Sequence, residues 1–175
     1  MITQSENEYV DIIDGKGRTI KKTPKSEAHR TGELHYTVIA EIRTSKGEWL
    51  LVKQALDRQD AGQYVSPVGG HVRSGETLED ALRREAREEV GFENIRFSYV
   101  GQGIFDRKVL GRHENHLFVL YEIYSDSIPV LNAESVGYER FTTQELKNQL
   151  TENPDKFGDA FHYVVKTFFP QLSSG

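Results

Sequence analysis

The chain has 175 residues, of which 37% are hydrophobic and 28% are charged, and this composition is typical of a globular domain with an apolar core. Its formal net charge of −5 argues against broad nucleic-acid binding, which needs a basic face. Since the sequence contains no cysteine, disulfides, thiolate zinc sites and cysteine nucleophiles are excluded.

The segments at the start of the chain are short and β-prone. Residues 9–13 alternate as a strand, and the turn sequence DGKG at residues 14–17 leads into residues 18–20, which predicts an N-terminal hairpin. Residues 21–32 are polar, and we interpret them as a connecting segment with one helical turn. Two further strands and a polar loop are predicted at residues 36–42, 49–53 and 56–63.

Residues 78–90 have a clear helical pattern. Thr77 occupies an N-cap position with Asp80 three residues later, and Gly91 occupies the position of a C-terminal stop. At ~100° per residue, Glu85 and Glu89 project within ~20° of Leu78 at the start of the apolar stripe. The stripe consists of Leu78, Ala81, Leu82, Ala86 and Val90.

Three carboxylates of this helix therefore lie near one another, with Glu85 and Glu89 directed towards the protein and Glu88 to one side. Carboxylates in that position are costly unless they are paired or bound to metal. The preceding turn, residues 67–70, is glycine-rich and brings bare backbone to the same place. Carboxylates beside a free carbonyl predict a site for a hard cation such as Mg²⁺. The alternative is a solvated helix with i,i+4 ion pairs.

The last part of the chain continues the mixture of strands and helices. Strands are predicted at residues 96–105, 116–125 and 139–141, with a polar, basic loop at 106–113. Thr142 and Glu145 form a capping-box pattern before one helix, and apolar residues at helical spacing between Phe157 and Phe168 predict another that ends before Pro170. The pattern predicts an α/β fold with helices on both faces of a sheet.

The segment from Gly70 to Phe92 resembles the Nudix box, G-x5-E-x7-R-E-U-x-E-E-x-G-U, where U is an apolar residue. Every specified position is filled, by Gly70, Glu76, Arg84, Glu85, Ala86, Glu88, Glu89, Gly91 and Phe92. The resemblance implies an α/β/α sandwich on a mixed sheet, here with an N-terminal β-hairpin extension. We expect one domain over residues 1–175, with the hairpin and connecting segment at 1–32 and the Nudix core at 34–170.

This resemblance implies a MutT-like pyrophosphohydrolase. Such enzymes hydrolyse a nucleoside diphosphate linked to another group, or another diphosphate, by attack of water at phosphorus with Mg²⁺ or Mn²⁺. By match to the motif, Glu85, Glu88 and Glu89 and the carbonyl of Gly70 are the expected metal ligands. Either Glu88 or Glu89 could act as general base, and in this family the base sometimes lies outside the box. Glu76 and Arg84 are expected to support the site.

Five of the six histidines lie near the expected site, at positions 29, 35, 71, 113 and 116. Each is by itself more simply interpreted as an ordinary hydrogen-bonded side chain. Together they resemble segments of the isopentenyl-diphosphate isomerases, a branch with the Nudix fold whose histidines and glutamates bind a divalent metal. We therefore also consider a second metal site, and its expected ligands are His29, His35, His71 and Glu114.

The chain departs from that branch at two catalytic positions. The isomerases use a cysteine where this chain has Gly69 and a glutamate where it has His116, so an isomerase is the second hypothesis and hydrolysis the first. A non-catalytic Nudix binding module is the third, although such modules usually lose box glutamates and this chain keeps them.

Substrate recognition is the least determined part of the sequence. Basic side chains in loops could meet phosphates, aromatic ones could stack on a base, and the predicted loop at 106–113 is our preferred place for specificity. The basic candidates are Lys53, Arg58, Arg73, Lys108 and Arg112, and the aromatic ones are Tyr64, Tyr99, Phe105 and Phe118. For each of them, a surface or core role is the simpler interpretation.

The expected partner is a small-molecule diphosphate, without stable nucleic-acid or membrane binding, and a homodimer is possible. No apolar run approaches the ~20 residues that span a membrane. The N-terminal residues MITQSENEYVD lack the basic and apolar regions of a signal peptide. We therefore expect a cytoplasmic protein.

Overall fold

The structure, a computed structural model, describes residues 8–173. The expectation about a signal peptide concerns mainly residues 1–7, which lie outside this range, as do residues 174–175. Nine strands and four α-helices follow one another in the described range. They are β1 (Tyr9–Ile13), β2 (Thr19–Pro24), α1 (Lys25–Thr31), β3 (His35–Arg43), β4 (Trp49–Gln54), β5 (Tyr64–Val65), β6 (Val68–His71), α2 (Leu78–Val90), β7 (Arg96–Val109), β8 (Arg112–Tyr124), β9 (Ser135–Phe141), α3 (Thr143–Glu152) and α4 (Asp159–Phe168).

Strand β3 organises the sheet. One of its edges pairs in parallel with β8 over its full length, from His35 opposite His116 to Arg43 opposite Tyr124. Its other edge pairs antiparallel with β1, β6 and β4 in succession. The end of β6, the start of β8 and the N-terminal hairpin are therefore neighbours around the beginning of β3.

The sheet separates two apolar cores, because successive side chains of a strand face opposite sides. Along β3, Val38 and Ala40 pack into the core under α2, whereas Ile39 packs into the core that holds α3 and α4. Fully buried aromatic residues such as Trp49 and Phe161 fill the second core, and each contributes about 1.5–3 kcal/mol of burial free energy. The predicted α/β fold, with helices on both faces of a mixed sheet, is confirmed.

The prediction of a loop at residues 106–113 is wrong. β7 extends to Val109 and β8 begins at Arg112, so only two residues form the turn. Leu110 and Gly111 both have positive φ, 49° and 74°, as a tight hairpin of right-twisted strands requires. The segment is polar because this end of the hairpin projects beyond the apolar cores. Its polar composition therefore indicated a loop instead of two strands.

The connecting segment at residues 21–32 is also more regular than predicted. β2 continues to Pro24, and α1 follows at once and ends where Gly32 adopts the left-handed conformation with φ of 74°. None of the helices in residues 8–173 has the length and hydrophobicity that a membrane-spanning helix requires.

Candidate active site

Local sequence signals fix the length and rotation of α2. The Thr77 side chain accepts a hydrogen bond from the Asp80 backbone N–H at 3.1 Å, and Gly91 ends the helix with φ of 73°. Ala81, Leu82, Ala86 and Val90 are fully buried against the sheet. This rotation directs Glu85 and Glu89 inwards beside the apolar stripe, as the helical spacing predicted.

The glycines of β6 meet those carboxylates. The Gly69 N–H donates to Oε2 of Glu89 at 2.7 Å. A Cβ atom at Gly70 would overlap the Glu85 carboxylate, so only glycine lets the strand approach the helix this closely. The structure thus brings Gly70, Glu85 and Glu89 together, while the Glu88 side chain is 48% exposed at the rim and lies 3.5 Å from Arg84.

Burial changes the charge of these acids. It raises the pKa of Glu85 to about 7 against the opposing effect of Arg84. Burial and then the Glu85 carboxylate raise the pKa of Glu89 well above its ordinary value, although the Gly69 N–H opposes this. Crowded acids of this kind need a cation to hold their charge, and oxygen donors at a bare glycine fit a hard divalent ion.

Arg84 connects the helix to the loop before it. Its Nε and Nη2 donate to both oxygens of Glu76 at 2.8 and 3.0 Å. Its Nη1 donates to Glu85 at 2.5 Å and its Nη2 also donates to the His71 carbonyl at 3.0 Å. The guanidinium therefore contacts the box loop, strand β6 and one expected ligand at the same time, and such planar contacts fix orientation.

A pocket of about 220 Å³ opens beside this cluster. Glu89, Gly70 and His71 line it together with apolar side chains, among them Phe105 and Phe118. The remaining polar lining includes Thr37, Gln54, Gln59, Asp60, Ser66, Arg107 and Glu114. A larger groove of about 540 Å³ lies elsewhere, and none of the three box glutamates lines it. We take the smaller pocket as the candidate site because Glu89 and the glycines of β6 line it.

The other candidates for substrate contact are separated by the fold. Arg73 pairs with Glu8 at 2.9 Å and Arg58 lies 3.5 Å from Glu134, so neither guanidinium is free. Lys53 and Tyr64 line the larger groove, and Tyr99 and Lys108 are exposed on β7. Among the proposed aromatic residues, only Phe105 and Phe118 line the pocket beside the glutamates.

Four histidines form a second buried cluster, where the sequence suggested three and a glutamate. One ring nitrogen from each of His29, His35, His71 and His116 lies within 4.8 Å of the others. Burial lowers the pKa of His29 to about 4, and burial followed by the neighbouring imidazoles lowers the pKa values of His71 and His116 well below their ordinary value. These rings are therefore neutral at neutral pH.

Glu114 is not a member of this cluster. Its carboxylate accepts from Nε of Arg107 at 2.9 Å and lies 3.2 Å from Arg112, so two guanidinium groups occupy its oxygens. The fifth histidine, His113, pairs with Asp106 at 2.6 Å and is also separate. The hairpin register accounts for the first of these contacts, because it places Arg107 opposite Glu114.

Two residues near the pocket were missed by the sequence reasoning. Glu134, in the loop before β9, raises the pKa of Glu89 further by its proximity. Arg107 lies between Glu114 and Asp60, at 2.9 and 3.6 Å, over the pocket. Local sequence offered no sign of either, because each reaches the site only through long-range folding.

Comparisons with known proteins agree with this fold. The family model described as NUDIX domain matches residues 33–161. A crystal structure from Deinococcus radiodurans superposes with a TM-score of 0.73 at 25% identity, over 91% of this chain and 98% of that one. An uncharacterized Nudix hydrolase of Clostridium acetobutylicum is 28% identical, covering 86% of this chain and 77% of its own.

A relative with a different name matches over more of the chain. The isopentenyl-diphosphate Delta-isomerase of Photobacterium profundum is 29% identical over 177 residues, which cover 95% of this chain and 97% of its own. The similarity thus includes the N-terminal hairpin and α1, which lie outside residues 33–161.

Proposed function

Since the chain belongs to the Nudix family and is a hydrolase of that family, we propose that it catalyses the divalent-metal-dependent hydrolysis of a small molecule containing a diphosphate. The favoured substrate class is a nucleoside diphosphate linked to another group. The observation that carries this proposal is the convergence of Glu85 and Glu89 on the bare backbone of Gly69 and Gly70 at the end of a pocket.

The donor set suits Mg²⁺ or Mn²⁺. Glu85, Glu88, Glu89 and the Gly70 carbonyl offer only oxygen, which hard cations prefer. When bound, such an ion supplies a Lewis acid that offsets the charge of the diphosphate and lowers the pKa of water. Arg84 keeps the Glu85 carboxylate in place through a 2.5 Å contact, and the Gly69 N–H does the same for Glu89.

In the reaction, the water oxygen forms a bond to phosphorus while a P–O bond of the anhydride breaks. A carboxylate takes the proton of the attacking water. Glu88 and Glu89 remain the candidates from the box, and Glu134 is a candidate outside it because it lies beside Glu89. The apolar floor with Phe105 and Phe118 would hold the organic group that carries the diphosphate.

An isomerase acting on isopentenyl diphosphate is the second candidate, because the similarity to the Photobacterium protein extends over nearly the whole chain. Gly69 stands where the resemblance places a catalytic cysteine, so one of the two proton-transfer groups is missing. The homodimer, the lack of nucleic-acid and membrane binding, the cytoplasmic location and the domain limits remain predictions.

A substrate panel tests the proposal. Nucleoside di- and triphosphates, dinucleoside polyphosphates, nucleotide sugars, NADH and isopentenyl diphosphate are incubated with Mg²⁺, with Mn²⁺ or with a chelator, and both phosphate release and isomer formation are measured. We expect metal-dependent hydrolysis of at least one compound and no isomer. Isomer formation without hydrolysis would support the second candidate, and binding without any turnover would support a non-catalytic module.

A further inference from the structure

The pocket beside Glu89 also contains a guanidinium group to which the proposed hydrolysis assigns no role. Arg107 is the only lysine or arginine among the described residues that line this pocket. Its side chain is 13% exposed, so most of it lies within the fold and away from solvent. A permanently charged group in that position needs partners, and the partners that surround it limit what it can bind.

Two contacts hold the Arg107 side chain in place. Its Nε donates to Oε2 of Glu114 at 2.9 Å, and the Glu114 side chain is only 7% exposed. Its Cζ lies 5.3 Å from the ring centre of Phe105, within the range of a cation–π contact. Phe105 in turn stacks with Phe118, with 5.2 Å between the ring centres. The guanidinium group therefore has a fixed orientation, as a residue that recognises a ligand requires.

One donor of Arg107 is unused within the part of the chain that the structure describes. Its Nη1 atom is buried there without a hydrogen-bond partner. Oδ1 of Asp60 at 3.6 Å and Oδ2 of Asp159 at 4.0 Å lie beyond hydrogen-bond distance. The hydroxyl of Thr37, which lines the same pocket, is also buried without a partner in residues 8–173. Since buried polar groups are rarely left unsatisfied, both atoms indicate a ligand in the pocket.

The charges around this donor favour a neutral ligand group over a second anionic one. Three acids lie close to two arginines, and they are Glu114, Asp60 and Asp159 beside Arg107 and Arg112. Because the acids outnumber the arginines, a phosphate here would be repelled. A neutral group that accepts from Arg107 and donates to Asp60 fits the charges better. The edge of a nucleobase combines such an acceptor with a neighbouring N–H donor.

The sheet register separates Arg107 from the box glycines. Gly70 is opposite Val38 in β3, and Val38 is opposite Val119 in β8. Arg107 is opposite Glu114. The five residues from Glu114 to Val119 in β8 correspond to ~16 Å along a strand. A diphosphate bound at Gly70 is shorter than this distance, so Arg107 is placed to contact the group that the diphosphate carries.

We propose that Arg107 and Asp60 recognise the edge of a nucleobase, with Arg107 as the donor and Asp60 as the acceptor. Phe105 and Phe118 supply aromatic surface beside the base. Glu114 is a positioning residue, because it acts through its bond to Arg107. The assignment rests on the proposed function, since it states which residues recognise the nucleoside of the favoured substrate class.

Binding of non-hydrolysable ligands to the full chain tests this assignment without turnover. The ligands are the α,β-methylene analogues of ADP, CDP, GDP and UDP, and methylenediphosphonate serves as a diphosphate without a base. Calorimetry in excess Mg²⁺ gives the Kd of each ligand for the wild type, Arg107→Gln, Arg107→Lys and Asp60→Asn. Asparagine tolerates the φ of 55° at position 60. Arg96→Gln is the matched control, because Arg96 is an exposed arginine at the other end of the same strand.

We expect the wild type to bind at least one of the four nucleotide analogues. Arg107→Gln, once circular dichroism shows it to be folded, should raise the Kd of that analogue by ~10–100-fold, the usual loss for a hydrogen bond to a charged group. The Kd of methylenediphosphonate should not change. Arg107→Lys should also bind the analogue more weakly, because lysine lacks the planar fork. Asp60→Asn should alter the order of preference among the bases, since an amide both donates and accepts.

Three results would overturn the proposal. The wild type binds none of the four analogues, Arg107→Gln weakens methylenediphosphonate as much as the nucleotide analogue, or both Arg107→Gln and Asp60→Asn bind all ligands as the wild type and Arg96→Gln do. The second result would assign Arg107 to the phosphates, and the third would leave it a structural link between the hairpin and the loop of Asp60. None of them affects the proposed function if the wild type hydrolyses a compound of the substrate panel. Base-dependent binding without hydrolysis would support this assignment and contradict the proposed function.

Discussion

Two buried clusters meet at strand β6 and differ in their donor atoms. Gly70 belongs to the carboxylate cluster and His71, the next residue, to the histidine cluster. Burial raises the pKa of the acids and lowers the pKa of the imidazoles, so both clusters lose charge when no ion is bound. The acids must then release protons before they can bind a cation, whereas the imidazoles are already in the neutral form that can donate a lone pair.

Proximity of polar side chains alone therefore does not define a metal site. Oxygen donors such as carboxylates favour hard ions that also bind phosphate, whereas imidazole nitrogens favour borderline ions such as zinc. One strand can serve both because its successive residues present different groups, a bare backbone at Gly70 and a ring at His71.

The largest expected effect comes from removing a box carboxylate. Glu88→Gln or Glu89→Gln should lower kcat by ~100-fold or more, because each removes a metal ligand or the base. Glu79→Gln changes a glutamate at the start of the same helix, away from the cluster, and should leave kcat unchanged. Steady-state kinetics with the best substrate of the panel measures the effect, and near-normal turnover in both Glu88→Gln and Glu89→Gln would contradict the assigned roles.

A smaller effect is expected when the backbone is moved away from the carboxylate. In Gly70→Ala, the new methyl group overlaps Glu85, and a shift of ~1 Å in a site can cost up to ~100-fold in rate. Gly137→Ala is the matched control, because that glycine on β9 has open space around it. If kcat/KM fell equally in the two variants, close approach at Gly70 would not be the cause.

Arg84 should affect metal affinity more than turnover at saturating metal. Arg84→Lys loses the two parallel bonds to Glu76, and changes of this kind weaken metal binding by ~10–100-fold. Arg87→Lys alters an exposed arginine of the same helix and should have no effect. The Mg²⁺ concentration that gives half-maximal activity is the readout, and an unchanged value in Arg84→Lys would argue against a supporting role.

The smallest effect concerns a buried acid outside both clusters. Glu41 bonds the Ser66 hydroxyl, and burial raises its pKa from 4.5 to about 7. The folded state therefore binds more protons between these values, and this group's contribution to stability is lost as pH rises from 4.5 to 7. Over this range the free energy of unfolding should fall by at most ~1.4 kcal/mol per pH unit because of this group.

Glu41→Gln should remove this contribution to the pH dependence of stability. Urea denaturation at several pH values, with and without Mg²⁺, measures the free energy of unfolding of both proteins. Because Glu41 lies outside the carboxylate cluster, Mg²⁺ should leave the difference between wild type and Glu41→Gln unchanged. A difference that disappears with Mg²⁺ would place Glu41 within the metal site and weaken the distinction between the regions.

The sequence predicted what depends on local pattern. Helix α2, its caps at Thr77 and Gly91, and the inward direction of Glu85 and Glu89 follow from spacing within a few turns. The composition of the histidine cluster could not be predicted, since Glu114 and His116 face the same side of β8. Their roles are decided by the hairpin register that brings Arg107 to Glu114.

The most direct test of the central assignment is to locate the activating ion. A crystal grown with Mn²⁺ and a non-hydrolysable diphosphate analogue would show Mn²⁺ by its anomalous scattering. We expect an anomalous peak bounded by Glu85, Glu88 or Glu89 and the Gly70 carbonyl, with the phosphates of the analogue beside it. A well-occupied analogue with its phosphates elsewhere and no manganese at these carboxylates would contradict it.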